Sequence, residues 1–263
     1  MAEGECVNVL CLKWGRLYSA DYVNRLYRGV KANLARPFRF VCVTDDPTGL
    51  DAGIDAEPFP DAPPGWTPNR RYAKWPNIYV KLLVFRKGFA HLEGPTLFLD
   101  IDQIVTGRLD DFFDYEPGRF CIIRNWIELR KRLFRRLPKI GNSSCFRFEA
   151  GSDAADAVYR KYLSEIAAAM DPANYRTEQA YMTHAVGLGN IRWWPDGFVS
   201  SFKRSCARPF PFNLLFAPQP PKMARILCFH GHPSPDEAIA GYRGRHLNTW
   251  VRPCPWVAEL WDR

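Results

Sequence analysis

Six short apolar runs rich in Val, Ile, Phe and Cys recur along the chain, at Cys6 to Leu12, Phe38 to Val43, Thr96 to Leu99, Phe120 to Ile123, Ser144 to Phe148 and Ile226 to Phe229. A strand that is apolar at successive positions leaves neither face to water, so its sheet has to be covered on both sides. Covering segments are present between the runs. Val23, Leu26, Val30 and Leu34 share one helical face behind a candidate N-cap at Ser19. Tyr79, Leu82, Leu83 and Arg86 repeat the pattern after Pro76, and Val158, Tyr162, Ile166 and Met170 repeat it after Ser152-Asp153. Strands alternating with helices in this way predict an α/β fold with a mostly parallel central sheet flanked by helices.

Two proline-rich stretches, Glu57 to Pro68 and Pro209 to Pro221, interrupt the alternation as loops. Neither has the composition of a flexible linker, and no internal repeat is visible, so residues 1–263 are expected to form one domain. With 47% hydrophobic and 14% aromatic residues the chain has ample material for a core, and disorder is excluded. No run approaches the roughly 18 consecutive apolar residues of a membrane-spanning helix, and the start, Met1-Ala2-Glu3-Gly4-Glu5, is acidic where a secretory signal is basic. A cytoplasmic location is therefore expected. The eight cysteines include no Cys-x-x-Cys pair, which removes the zinc-ribbon and thioredoxin-like readings and leaves reduced, mostly buried thiols.

The run from Thr96 to Val105 carries the chemistry. It contains Asp100 and Asp102, two carboxylates one residue apart at the end of an apolar strand. Ligands of α/β sheets bind beyond the carboxyl ends of strands, and two adjacent acids repel unless a cation balances them. A hard divalent ion with oxygen ligands, leaving positions for phosphate oxygens, fits that need. A lone Asp-x-Asp is a weak signal; its place at the end of this run gives it weight. The bland alternative has both acids capping the strand and binding water or a lysine.

Leu97 to Asp102 resembles the metal-binding Asp-x-Asp strand of GT-A glycosyltransferases, and the chain as a whole is similar to the retaining, glycogenin-type enzymes of glycosyltransferase family 8 and their bacterial relatives. Val7 to Trp14 and Phe40 to Asp46 resemble the first two nucleotide-binding strands, and Lys81 the basic residue ahead of the Asp-x-Asp. Asn142-Ser143-Ser144, Glu178-Gln179 and Phe229-His230-Gly231 resemble later family motifs in the same order. The resemblance implies a single GT-A-fold domain, with a nucleotide-binding half over about 1–105 and an acceptor-side half over about 106–263. It also implies transfer of a sugar from a nucleotide-sugar donor, a UDP-sugar, to a glycan, lipid-linked or other hydroxyl acceptor with retention of configuration.

Carried over residue by residue, the resemblance makes Asp100, Asp102 and His230 the ligands of Mn²⁺ or Mg²⁺. It makes Glu178 and Gln179 the catalytic pair, and Lys13, Trp14, Tyr18, Asp45, Asp46, Lys81, Asp100, Ile101, Asn142, Ser143 and Gly231 the donor-binding set. Alternatives stand beside several of these. Asp45 and Asp46 also suit an Asp-Asp-Pro turn, Trp14 and Tyr18 suit core aromatics, Lys81 suits a solvated surface, and His232 rivals His230. Glu178 replaces the family's usual Asp. Ser234-Pro235-Asp236 replaces a Lys-Pro-Trp ending, so a diphosphate-binding lysine is missing, and Lys203, Arg204 and Lys222 are the candidate substitutes.

Charge is uneven. From Arg124 to Lys139 there are seven Lys or Arg and one Glu, with Trp126, Leu129, Leu133 and Leu137 on one helical stripe. Such a helix suits an anionic membrane at its inner, cytoplasmic face, or else packs on the core with its basic face in water. The near-neutral remainder argues against a nucleic-acid partner. Two other functions remain open at this level. Leu97 to Val105 also resembles the first motif of haloacid-dehalogenase-type phosphohydrolases, with Asp100 as nucleophile, and a non-catalytic binder of glycans or anionic surfaces would keep the basic helix and lose the metal.

Overall fold

A computed structural model of the chain describes residues 6–63, 78–126 and 139–262. Five of the six apolar runs enter one seven-stranded sheet and the sixth enters a smaller one. The large sheet has the order β3-β2-β1-β4-β7-β6-β8, with β1 Val7–Lys13, β2 Phe38–Thr44, β3 Asp55–Glu57, β4 Gly94–Leu99, β6 Phe120–Arg124, β7 Gly141–Ala150 and β8 Ile191–Trp193. Every pairing is parallel except the two made by β7. The mostly parallel sheet read from the sequence is borne out. The second sheet has the order β5-β10-β9, from β5 Gln103–Val105, β9 Val199–Ser201 and β10 Ile226–Cys228.

Alternate residues of one strand feed two separate cores. Val7, Val9 and Cys11 of β1 pack on one side of the sheet, with helix α1 (Ala20–Asn33), β5, β10 and the C-terminal helices α6 (Pro235–Ala240) and α7 (Pro255–Trp261). Leu10 and Leu12 pack on the other, with the 3₁₀ segment Ile78–Phe85, α3 (Asp153–Ser164), α4 (Ile166–Met170) and α5 (Glu178–Val186). The period-2 pleat makes this three-layer arrangement possible. One further short helix, α2 (Asp110–Asp114), follows β5.

Three local expectations need correction. The second helical pattern folds as a 3₁₀ segment, buried on nearly every side, rather than as an amphipathic α-helix. The third pattern is two helices, because Glu165 leaves the helical region at φ −120°, ψ 19°; its carboxylate accepts from Lys161 Nζ at 2.8 Å and the Tyr181 hydroxyl at 3.1 Å. The stripe Val158, Tyr162 and Ile166 still faces the core across that break. Strand β7 begins three residues earlier than expected, so the polar Asn142 and Ser143 lie inside it. All eight cysteines are unpaired, and all but Cys6 are buried. Among the described residues no helix is long and apolar enough to cross a membrane. Most of the basic segment, residues 127–138, lies outside the described residues.

Candidate functional site

Parallel strands β1, β2 and β4 all end at one edge of the sheet, and β7, running the other way, begins there. The topology therefore gathers Lys13 and Trp14, Asp45, Asp100, and Asn142 with Ser143 from distant parts of the sequence. Asp100 and Asp102 sit in the tight turn between β4 and β5. Its ends are fixed by Asp100 N donating to Ser144 O at 2.9 Å and Gln103 N to Asp100 O at 3.3 Å.

Lys81 reaches this turn from the 3₁₀ segment, with Nζ 2.7 Å from Asp100 Oδ1 and 2.9 Å from Oδ2. It is only 5% exposed, which excludes the solvated-lysine reading. Burial alone would lower its pKa; the facing carboxylates of Asp100 and Glu178 outweigh burial and raise it. The Asp102 carboxyl is pushed well above the carboxylate range by burial and then by Asp100, with Lys81 offsetting only part of this. One of its oxygens, Oδ1, is buried without a hydrogen-bond partner.

Glu178 and Gln179 open α5, where the Thr177 side chain caps the helix by accepting from Ala180 N. The helix start is fastened to the start of β7. Ser143 Oγ donates to Glu178 Oε1 at 2.6 Å, Ser143 N to Gln179 Oε1 at 3.4 Å, and Gly141 N to Thr183 Oγ1 at 2.9 Å. A side chain at Gly141 would run into Ile122, its Cβ falling 2.6 Å from Cδ1, so this close approach requires glycine. Glu178 is 2% exposed; burial raises its pKa, and Lys81 and the Ser143 hydroxyl hold it down only in part.

His230 comes to the same end through the smaller sheet. Strand β10 runs antiparallel to β5 with Cys228 opposite Gln103, which sets the turn after β10 beside the turn that carries Asp102. The imidazole Nε2 lies 2.8 Å from Ser201 Oγ and the ring packs 5.4 Å from that of Trp126. Burial, followed by the charge of Lys203, lowers its pKa to about 4, so the ring is neutral at neutral pH. The rival, His232, is committed elsewhere: it binds Glu237 at 2.8 Å and stacks on Tyr242.

Two carboxylates and a neutral imidazole are donor chemistry suited to Mn²⁺ or Mg²⁺, and the unpartnered oxygen of Asp102 fits such a group. Among the described residues, however, no three His, Cys, Asp or Glu side chains stand together as a set that could hold a metal ion. Asp100 is bound by Lys81 and His230 by Ser201 instead.

At the donor end of the edge, Asp45 accepts from Gly15 N at 3.0 and 3.2 Å and so ties the β2 loop to the β1 loop. Asp46 forms an Asx turn with Thr48 N at 3.0 Å, and Lys13 Nζ reaches Asp46 O at 3.5 Å. Trp14 is half-buried and edge-on to Phe59, and the half-buried Tyr18 leans on Tyr22. Ile101 is buried. Gly231 takes a positive φ of 62°, with Lys203 Nζ 3.8 Å from where its Cβ would be. Lys203 also donates to His230 O at 2.6 Å and feels the charge of Asp102, whereas Arg204 and Lys222 are exposed. The place of Ser201 and Lys203 was not legible in the sequence, because it depends on β9 pairing with β10, a contact between two three-residue strands.

No family model matches the sequence, and no curated protein matches it. Solved structures do. The chain is similar to the galactosyltransferase LgtC in complex with donor and acceptor sugar analogs, with 13% identity and a TM-score of 0.58 over 97% of this chain and 95% of that one. It is similar to GlyE of Streptococcus pneumoniae TIGR4, a glycosyltransferase, with 11% identity and a TM-score of 0.57 over 87% of this chain and 55% of GlyE. The bifunctional glycosyltransferase WbbM gives 10% identity and a TM-score of 0.55 over 88% of this chain and 46% of WbbM. The fold is thus the GT-A fold that the sequence motifs implied.

Proposed function

We propose that the chain is a glycosyltransferase that moves a sugar from a nucleotide-sugar donor, a UDP-sugar, to a hydroxyl acceptor on a glycan or lipid-linked molecule with retention of configuration. The observation that supports this most directly is the convergence of Lys81, Asp100, Asp102, Ser143 and Glu178 at the carboxyl end of β4. That position, in this fold, is also where the motif resemblance puts the donor diphosphate. Asp100, Asp102 and His230 are the residues that would hold Mn²⁺ or Mg²⁺, which when bound supplies Lewis acidity to the departing diphosphate.

The remaining roles follow from the chain's own groups. Lys81 and Lys203 place two buried or half-buried cations at the edge, suited to the phosphates of the donor, and Lys203 takes the part of the lysine missing after His230. Gly231 leaves room for a phosphate to approach the backbone. Trp14 and Tyr18 offer ring faces to the base, and the loop tied by Asp45 shapes the pocket around it. Glu178 and Gln179 lie against Ser143 as the pair that meets the sugar. A carboxylate there stabilises positive charge at the anomeric carbon or attacks it.

Calorimetric titration of UDP with and without Mn²⁺, repeated on Asp102→Ala, tests the reading. Mn²⁺-dependent binding that Asp102→Ala weakens by roughly a hundredfold is expected. Nucleotide binding indifferent to both metal and substitution overturns it, and release of phosphate from aryl phosphates with Mg²⁺ would favour the phosphohydrolase instead.

A further inference from the structure

Residues 197–258 contain eight Lys or Arg against two acids, Asp236 and Glu237. Within this basic region the loop from Phe210 to Phe216 displays Phe210, Phe212, Leu215 and Phe216, each between 54% and 71% exposed. Leu247, 49% exposed, stands on the neighbouring turn. Soluble surfaces rarely gather large apolar side chains in this way without a partner.

The display is held in place. Asn213, buried under the loop, donates from Nδ2 to Leu247 O at 2.8 Å and Trp250 O at 3.0 Å. Arg252 Nη1 donates to Leu214 O at 3.0 Å, and Trp256 Nε1 to Pro218 O at 3.1 Å. The rings of Phe212 and Phe216 lie 6.4 Å apart. The loop is therefore fastened by its polar groups so that its apolar ones point outward, and Arg208, Arg245 and Arg252 flank it.

We propose that this knuckle is a docking surface for an anionic phospholipid bilayer, with the Phe and Leu side chains entering the boundary between headgroups and acyl chains and the arginines meeting lipid phosphates. A bilayer offers both things the surface lacks, apolar depth and negative charge. A second copy does not, because a two-fold contact would set this basic region against itself. The inference concerns the surface alone and is independent of the transferase reading. It draws on none of residues 124–139.

The test is co-sedimentation of the full chain with phosphatidylcholine vesicles containing about one third phosphatidylglycerol, and with phosphatidylcholine alone, at ~0.1 M and ~0.5 M salt. Binding only to the anionic vesicles, weakened by salt, is expected. The triple variant Phe212→Ser/Leu215→Ser/Phe216→Ser should lose binding by roughly tenfold or more, and Arg208→Gln/Arg245→Gln by a smaller factor, with circular dichroism unchanged. No binding to the anionic vesicles, or triple-variant binding equal to that of the original chain, overturns the proposal. So does self-association in the ultracentrifuge that the triple variant abolishes, which would assign the surface to a second copy.

Discussion

Glu178 stands in a place that disfavours a carboxylate. Burial raises its pKa, and Lys81, the Ser143 hydroxyl and a backbone hydrogen bond oppose the shift only in part. An acid whose pKa is higher in the folded than in the unfolded state makes folding less favourable above both values, because the folded state then gives up the proton at greater cost. Glu178→Gln should therefore be at least as stable as the original chain at neutral pH, its Oε1 still accepting from Ser143. Sugar transfer should fall by about a hundredfold to a thousandfold, while UDP binding changes by less than about threefold. Thermal melting, turnover and calorimetry on one preparation read all three. In the original chain activity should decline on acidification through a pKa above the ordinary glutamate range, and a profile that stays flat down to that range would remove Glu178 from the reaction.

Elements are locked together here by buried charge as much as by packing. Asp110, at the start of α2, accepts from Ala35 N at 3.0 Å, Arg36 N at 3.3 Å and Arg36 Nε at 3.1 Å, and so joins α2 to the chain leaving α1. Burial would raise its pKa, but these donors outweigh burial and lower it. A depressed carboxylate contributes stability that is present above the unfolded value, about 3.9. That contribution is lost as pH falls below this through the folded value. Asp110→Asn should cost about 2 kcal/mol in urea unfolding at pH 7 and flatten the acid side of the stability profile. Equal slopes for the two proteins between pH 5 and pH 2 would show that Asp110 does not hold this joint. Arg147 plays the same part in β7. It is 1% exposed and donates to the carbonyls of Phe112, Phe113, Tyr115, Glu116 and Arg119, so the turn after α2 folds around one guanidinium.

At the scale of the whole molecule, β4 from the first part of the chain pairs with β7 from the second, from Gly94 opposite Ala150 to Leu99 opposite Cys145. Cutting the chain between nucleotide-binding and acceptor-side halves would leave β4 an apolar edge, open to aggregation. Differential scanning calorimetry should accordingly record one transition with calorimetric and van't Hoff enthalpies in agreement. Two resolved transitions would show that the halves fold independently.

Short apolar runs and stripes at helix period were enough to read the α/β class, the parallel sheet, helix α1 and the strand end that carries Asp100 and Asp102, because each is set by residues close in sequence. The family resemblance, carried by short motifs, marked Lys81 and His230 as candidates. It could not distinguish a buried Lys81 from a surface one, place Lys203 beside His230, or find the guanidinium of Arg147 at the hub of five carbonyls. Those facts depend on contacts between elements that no local motif spans, and only the closed structure sets the dielectric and the counter-charges around each group. Residue types and their periods determined what this chain builds; long-range pairing decided which of its charges face one another.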